Sequence, residues 1–156
     1  MSIFLVACQR SRPATTSILD SPTRSPNDEG VVTGVTNERI TLDNKRFYKV
    51  SPKTESFIAS SKQLTSIIST DHRYVQLGIK SGTVIWISTV GIVTRTDPPI
   101  ARYTGTFLRK DADGRAVFKD GTVLSVRSGV KFPDVNKKIA VTIDPSAHEI
   151  IEFPGA

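Results

Sequence analysis

The side chains best suited to chemistry in this sequence form a basic group in its first half. They are Lys45, Arg46, Tyr48, Lys49, Lys53 and Arg73. Cations interleaved with aromatic rings can hold a polyanion, because the cations neutralise its charges while a ring stacks on a flat group. Residues 30–96 carry nine basic and four acidic side chains, which is +5 of the net charge of +6. The sequence therefore predicts a surface for an anionic partner, although the same lysines could equally protect an exposed strand edge.

Catalysis has little support in the sequence. The chain has two histidines, His72 and His148, and no serine in a Gly-x-Ser-x-Gly turn. A nucleophile needs a neighbouring base and a third group that orients the base. Two histidines and one distant cysteine also fall short of a zinc ligand set. We expect no catalytic residue, no metal site and no cofactor.

Asp111, Asp113 and Gly114 match the start of a calcium-binding loop. The calcium loop of an EF-hand ends with a glutamate at its twelfth position. Here that position is Thr122. A hairpin turn, in which the aspartates bond their own backbone and Gly114 takes a positive φ, explains the same residues. The sequence favours the turn.

The single cysteine, Cys8, follows an apolar start, and residues 5–8 read Leu-Val-Ala-Cys. This tetrapeptide resembles the lipobox of bacterial lipoproteins, in which small residues precede a cysteine that becomes acylated. Residues 9–29 are rich in Ser, Thr, Pro and charge, a composition typical of a flexible tether. The resemblance implies lipid attachment at Cys8 and a place in the bacterial cell envelope, on its periplasmic or outer face.

The segment before Cys8 leaves two interpretations open. It has seven residues, none of them charged, whereas a signal segment has a charged start and an apolar stretch of about 7–15 residues. Either translation starts upstream of Met1, or the tetrapeptide is accidental and residues 3–7 form an edge strand. In the second case we expect a cytoplasmic protein or a virion protein.

An internal repeat predicts the elements that position these side chains. Residues 39–50, RITLDNKRFYKV, align without a gap with residues 115–126, RAVFKDGTVLSV. Both segments alternate apolar and polar residues, are interrupted by a turn-forming cluster and resume as a strand, which is the pattern of a β-hairpin. Further strands are indicated at residues 31–35, 74–77, 83–89, 103–109 and 138–143.

The sequence thus predicts an all-β protein of two related small antiparallel barrel or sandwich units, with at most one short helix, at residues 53–68. This layout resembles an OB-fold. We divide the chain into an apolar N-terminus and tether (1–29), a first unit (30–96) and a shorter second unit (97–156) packed against the first. Trp86 is expected at the centre of the first core, because it is the largest side chain of a strand that is apolar on both faces.

The function expected from these features is non-catalytic. The first candidate is an envelope-associated β-domain, anchored by lipid at Cys8, that binds a protein partner as an accessory or assembly subunit. One alternative is an OB protein that binds single-stranded nucleic acid through the basic group. The other is a structural component of a virion or another large assembly.

Overall fold

The computed structural model describes residues 22–58, 61–62 and 70–155. Cys8 and the other residues of the predicted N-terminus and tether up to residue 21 lie outside this part. The described residues include no helix that could span a membrane. Their strands, in chain order, are β1 (Asp28–Val35), β2 (Arg39–Leu42), β3 (Arg46–Lys49), β4 (Glu55–Ile58), β5 (Ser61–Lys62), β6 (Arg73–Lys80), β7 (Thr83–Val93), β8 (Ala101–Lys110), β9 (Ala116–Phe118), β10 (Val123–Leu124), β11 (Lys138–Asp144) and β12 (Glu149–Glu152).

The first barrel closes on itself through five strands. β1 pairs with β2 and β6, β2 with β3, β3 with β7, and β7 with β6. Every pair in this ring is antiparallel except β3–β7, which is parallel where Lys49 meets Thr83. Apolar side chains that point inward from these strands form its core. They include Val32, Ile40, Leu42, Val50, Val75, Leu77, Val84 and Ile87.

The second unit has the same strand order with shorter strands. β8 pairs with β9 and β11, β9 with β10, and β11 with β12. The ring closes where the chain just after β10 meets β12, in a parallel bridge between Val126 and Ile150. The single parallel contact thus has the same place in both rings. The predicted all-β fold with small antiparallel barrel units is confirmed, and the likeness of these units to an OB-fold stays a prediction.

The two aligned hairpins turn in the same way. The Lys45 N–H donates to the Leu42 carbonyl at 3.0 Å, and the Gly121 N–H donates to the Phe118 carbonyl at 2.9 Å. These residues occupy matching positions of the alignment. The predicted turn at Asp111 is also present, because its carboxylate accepts N–H bonds from Asp113 and Arg115 at 3.0 and 2.8 Å.

The barrels are joined by sheet pairing and by a shared core. β7 continues into β8 through residues 94–100, and Val93 pairs with Ala101. Tyr74 and Val90 of the first barrel belong to the apolar cluster of the second. That cluster also contains Tyr103, Phe107, Phe118, Leu124, Ile139, Val141 and Ile143. The second core is therefore completed by the first barrel.

Residues 22–27 lie across both barrels, and we call this segment the clasp. The Arg24 N–H donates to the Gly121 carbonyl at 2.8 Å, and the Asn27 N–H donates to the Leu77 carbonyl at 2.8 Å. β1 then begins at Asp28. The fold therefore starts before Gly30, where the sequence placed the end of the tether. The Ser, Thr, Pro and charge content of this segment favoured a tether, and no local pattern indicated the clasp because its partners, Gly121 and Leu77, lie far along the chain.

The short helix predicted at residues 53–68 is wrong where the structure describes it. Glu55–Ile58 forms β4, which pairs in parallel with residues 86–89 of β7, and Ser61–Lys62 forms β5. β3 contacts this edge of β7 at Thr83 alone. β4 supplies hydrogen-bond partners to the next part of the edge, which explains why the segment is a strand. This serine-rich segment has low helix propensity. Residues 59–60 and 63–69 lie outside the described part.

Trp86 does not lie in the core of the first barrel. Gly78 faces Trp86 and Ile79 faces Val84, so Ile85 is an extra residue in β7. Such a bulge reverses the alternation of side chains beyond it. Val84 and Ile87 consequently point inward, Ile85 is 47% exposed, and Trp86 covers Gly78 on the outer wall.

Candidate anion-binding face

The structure divides the predicted basic group between the two faces of β3. Arg46 and Tyr48 are half-buried and both donate to the same oxygen of Asp28, at 2.7 and 2.6 Å. Phe47 and Lys49 alternate with them and are exposed. Burial alone would raise the pKa of Asp28, but the hydrogen bonds from Arg46 and Tyr48 hold that pKa below its usual value. Arg46 and Tyr48 are thus engaged inside the first barrel.

The remaining members of the basic group are spread over the first barrel. Lys45 is exposed in the β2–β3 turn, and Lys53 is exposed in the loop after β3. Arg73 pairs with Ile92 at the start of β6. Since a strand rises about 3.3 Å per residue, Arg73 lies about 23 Å along β6 from its last residue. The structure therefore places Arg73 away from Lys49, at the opposite end of β6 from Lys80.

A different set of cations forms a row across the outer face of the first barrel. Arg39 of β2 is paired with Lys49 of β3, Lys49 with Thr83 of β7, and Thr83 with Lys80 of β6. Directly paired residues point to the same side of a sheet, and all three cations are exposed. Neighbouring strands lie about 4.8 Å apart, so the row spans about 14 Å. We call Arg39, Lys49 and Lys80 the basic row.

Phe47 lies beside the basic row. It precedes Lys49 by two residues, so the two side chains share the outer face of β3. The residue is 65% exposed, and the guanidinium carbon of Arg39 lies 5.6 Å from the ring centroid. An exposed ring next to a cation is a surface on which a flat partner can stack.

The charges of the basic row have no partner within the part of the chain that the structure describes. None of Arg39, Lys49 and Lys80 forms an ion pair there. Like charges placed directly opposite each other destabilise a sheet, so Arg39 and Lys49 favour an anion between them. Beside them is a groove of about 480 Å³, to which Glu38 contributes one carboxylate.

The equivalent face of the second barrel is covered. Val117 and Val123 occupy the positions that Thr41 and Phe47 hold in the aligned hairpin. They are only 1% and 3% exposed. Gln76 of the first barrel reaches across and donates to the Val123 carbonyl at 2.6 Å. Of two matching faces, one is therefore buried between the barrels and one is open.

Arg24 of the clasp also contacts both barrels. The guanidinium carbon of Arg24 lies 4.6 Å from the ring centroid of Phe57 and 5.9 Å from that of Trp86. The Arg24 side chain also donates to the Asp120 carbonyl at 3.4 Å. Trp86 thus lies on the outer wall of the first barrel, where the clasp packs against it.

The two histidines, His72 and His148, contact acidic side chains outside the basic row. His72 is exposed beside Asp71. His148, from the second barrel, lies 3.2 Å from a carboxylate oxygen of Asp43 in the first. Near it Glu29 accepts a hydrogen bond from the hydroxyl of Tyr74. Burial raises the pKa of Glu29 despite this hydrogen bond. Of these contacts, the one between His148 and Asp43 joins the two barrels.

Comparisons with protein-family models, with curated proteins and with solved structures gave no match.

Two cations of the basic row, Arg39 and Lys80, were not among the residues predicted from the sequence. The position of Arg39 could have been predicted from the hairpin. A hairpin that turns at residues 43–45 pairs residue 39 with residue 49, which places Arg39 beside Lys49. Lys80 joins them only through the parallel contact between β3 and β7, and no local pattern indicates that contact.

Proposed function

We propose that this protein is a non-catalytic module that binds single-stranded nucleic acid across the basic row. The observation that supports this function is the open outer face of β2 and β3, with Arg39 and Lys49 paired beside the exposed ring of Phe47. A single strand offers both groups that this face lacks. Its phosphates can neutralise neighbouring cations, and an unstacked base can lie on an aromatic ring.

The topology supports the same choice by analogy. OB barrels bind oligonucleotides on the outer face of strands two and three and in the loops that join strands one to two and four to five. In the first barrel these elements are β2, β3 and residues 36–38 and 81–82, and they surround the basic row. A shared fold does not establish a shared function, so the side chains on this face carry the proposal.

Fluorescence anisotropy with a labelled oligothymidylate tests the proposal at several salt concentrations. For single strands, the logarithm of affinity falls with the logarithm of salt concentration by about 0.7 per neutralised phosphate. Three engaged cations therefore predict a slope of about −2. We expect Lys49→Gln to reduce the steepness of that slope by about 0.7, and Lys138→Gln, at an exposed site of the second barrel, to leave it unchanged. Binding that ignores salt, or that responds equally to both substitutions, would refute the proposal.

The residues around Cys8 favour a second candidate function. In this candidate the protein is a lipid-anchored envelope subunit, and the open face receives an acidic segment of a partner protein. Each buried methylene adds about 0.8 kcal/mol to membrane affinity, and stable anchoring needs more than one signal. Labelled palmitate should then enter the protein expressed with its native upstream DNA, and Cys8→Ser should abolish the label. A labelled protein that binds no oligonucleotide would favour this candidate over the first.

A further inference from the structure

We infer that the second barrel carries a second subsite for the same ligand, a single strand of nucleic acid. This inference rests on the proposed function of the basic row. The subsite is a groove of about 430 Å³ beside Lys110, Gly114, Val126 and Phe132. It adds a binding site in a part of the chain that the basic row does not reach.

The two grooves occupy matching positions in the two barrels. The groove of the first barrel lies between Glu38, in the loop before β2, and Val50, directly after β3. The ungapped alignment of residues 39–50 with 115–126 places Val126 at the position of Val50, and one residue before its start Gly114 corresponds to Glu38. Both of these residues line the second groove. The topology that forms one groove therefore forms the other as well.

A cation lies beside an aromatic ring at each groove: Lys110 and Phe132 both line the second groove, whereas in the first barrel Arg39 lines the groove and Phe47 lies outside its lining. The ammonium nitrogen of Lys110 lies 5.1 Å from the ring centroid of Phe132, as Arg39 lies beside Phe47 in the first barrel. The Phe132 ring is held by Phe107 and Phe153, whose centroids are both 5.8 Å away. A ring anchored in this way is pre-oriented for stacking, so little conformational freedom is lost on binding.

The balance of charge in the second groove favours an anion. Lys110 and the exposed Lys131 form no ion pair among the described residues. Arg127 is already neutralised, because its guanidinium contacts Glu149 and Asp144 at 2.6 and 2.9 Å. The acidic group of the lining, Asp113, lies 3.7 Å from Arg115, which pairs more closely with Asp111 at 2.9 Å. Within the lining three cations, Lys110, Arg127 and Lys131, face one carboxylate, and two of them, Lys110 and Lys131, remain for a ligand.

The backbone leaves this groove open to a ligand. Gly129 has a φ of +87°, and a Cβ there would have no atom within 4 Å. A phosphate can therefore approach the main chain at the Ser128-Gly129 turn without a steric barrier. With two free cations instead of three, we expect the second subsite to bind more weakly than the basic row.

Amide chemical-shift mapping of isotope-labelled protein with tetrathymidylate tests this inference. A ligand this short can occupy one subsite without spanning both. We expect two separate groups of shifted amides, one at residues 36–39, 47–50 and 80–83, and one at 110–114 and 126–132. The double substitution of Lys110→Gln with Lys131→Gln should remove the second group and preserve the first. Arg39→Gln with Lys49→Gln should do the reverse, and Lys138→Gln should preserve both.

The outcomes separate this inference from the function on which it rests. Shifts confined to the first group at saturation would reject the second subsite and leave the proposed function intact. Shifts confined to the second group would reject the basic row as the principal site and keep the subsite. No shifts at all would reject both. Equal shifts with tetraglutamate would show that the groove selects charge alone and would overturn nucleic acid as its occupant.

Discussion

Phe47 is the side chain whose substitution should lower binding affinity with little effect on the stability of the fold. It points away from the core and is 65% exposed, so its removal should change the free energy of unfolding by less than about 0.5 kcal/mol. Loss of one stacked base costs about 1–3 kcal/mol of binding free energy. We therefore expect Phe47→Ala to weaken oligothymidylate binding at least about fivefold. Anisotropy and urea denaturation, measured on the same preparation, check both statements.

Phe118 is a matched control for Phe47, because it is an aromatic residue of the other hairpin that faces inward. It is 1% exposed and packs edge-on against Tyr103. Phe118→Leu should therefore lower stability and preserve affinity per folded molecule. If Phe47→Ala lowered stability as much as Phe118→Leu, the assignment of Phe47 to a binding face would be wrong.

Glu29 predicts a pH dependence of stability. Its burial raises its pKa in the folded state above the ordinary value of 4.5. Ionisation of this carboxyl therefore opposes folding, and the penalty decreases as pH falls from above the raised pKa towards 4.5. His148 and Asp28 lie around it, and Asp43 contacts His148. We expect Glu29→Gln to remove part of the stability loss between weakly acidic and neutral pH.

Denaturation curves of wild-type protein and Glu29→Gln across that pH range measure this effect. Exposed Glu152, in β12, is the matched control, and Glu152→Gln should keep the wild-type profile. If the pH profiles of stability of Glu29→Gln and Glu152→Gln coincided, ionisation of Glu29 would carry no particular energetic cost to folding. A fall in stability at every pH would instead mean that hydrogen bonding to Tyr74 outweighs the removal of charge.

At the scale of elements, β7 organises the fold. It has eleven residues. One of its edges pairs with β6, and the other meets β3, then β4 and then β8. It is therefore the strand that joins the first barrel to the second. Its bulge at Ile85 points Trp86 outward, onto the wall that receives the clasp.

The close packing of Trp86 on Gly78 can be tested by adding one methyl group. A Cβ at Gly78 would lie 2.0 Å from the indole nitrogen of Trp86. We expect Gly78→Ala to destabilise the protein by about 1–3 kcal/mol. Gly34→Ala is the matched control in β1, because a Cβ there would meet Thr41 at an ordinary 3.7 Å. Guanidinium denaturation compares them, and equal stabilities would show that Trp86 moves aside freely.

The elements that could be predicted from sequence are those whose partners are near in the chain. The hairpins at 39–50 and 115–126 carry both their alternation and their turn residues within twelve positions. β4 could not be predicted, because it depends on an open edge of β7 about thirty residues later. The face of Trp86 depends on a bulge, which alternation alone does not reveal. Arg46 and Tyr48 were assigned to the surface because their partner, Asp28, precedes them by about twenty residues.

At the scale of the whole molecule, the clasp is the contact that can be removed without touching either barrel core. Arg24 lies against Phe57, Trp86 and the Asp120 carbonyl. Buried cation–π contacts are worth about 2 kcal/mol, so Arg24→Ala should lower the free energy of unfolding by about that amount. Trp86 is the single tryptophan of the chain, and its emission should move to longer wavelength as water reaches it.

Arg109→Ala removes an exposed arginine of β8 and is the control for this substitution. It should leave both the tryptophan emission and the stability at their wild-type values. An unchanged emission spectrum for Arg24→Ala would mean that the clasp does not shield Trp86. Affinity for oligothymidylate should survive in both variants, since the basic row lies on a different wall of the first barrel.

The position of the clasp determines where mechanical force would enter the fold. Fifteen residues separate Cys8 from Arg24, and a fully extended chain of that length reaches about 50 Å. In a molecule held at Cys8, a pull would arrive first at Arg24 and Asn27, whose hydrogen bonds attach to different barrels. The load would thus be divided between the two halves before it reached β1. Strain would then loosen the junction between the two barrels before it changed the arrangement of the basic row.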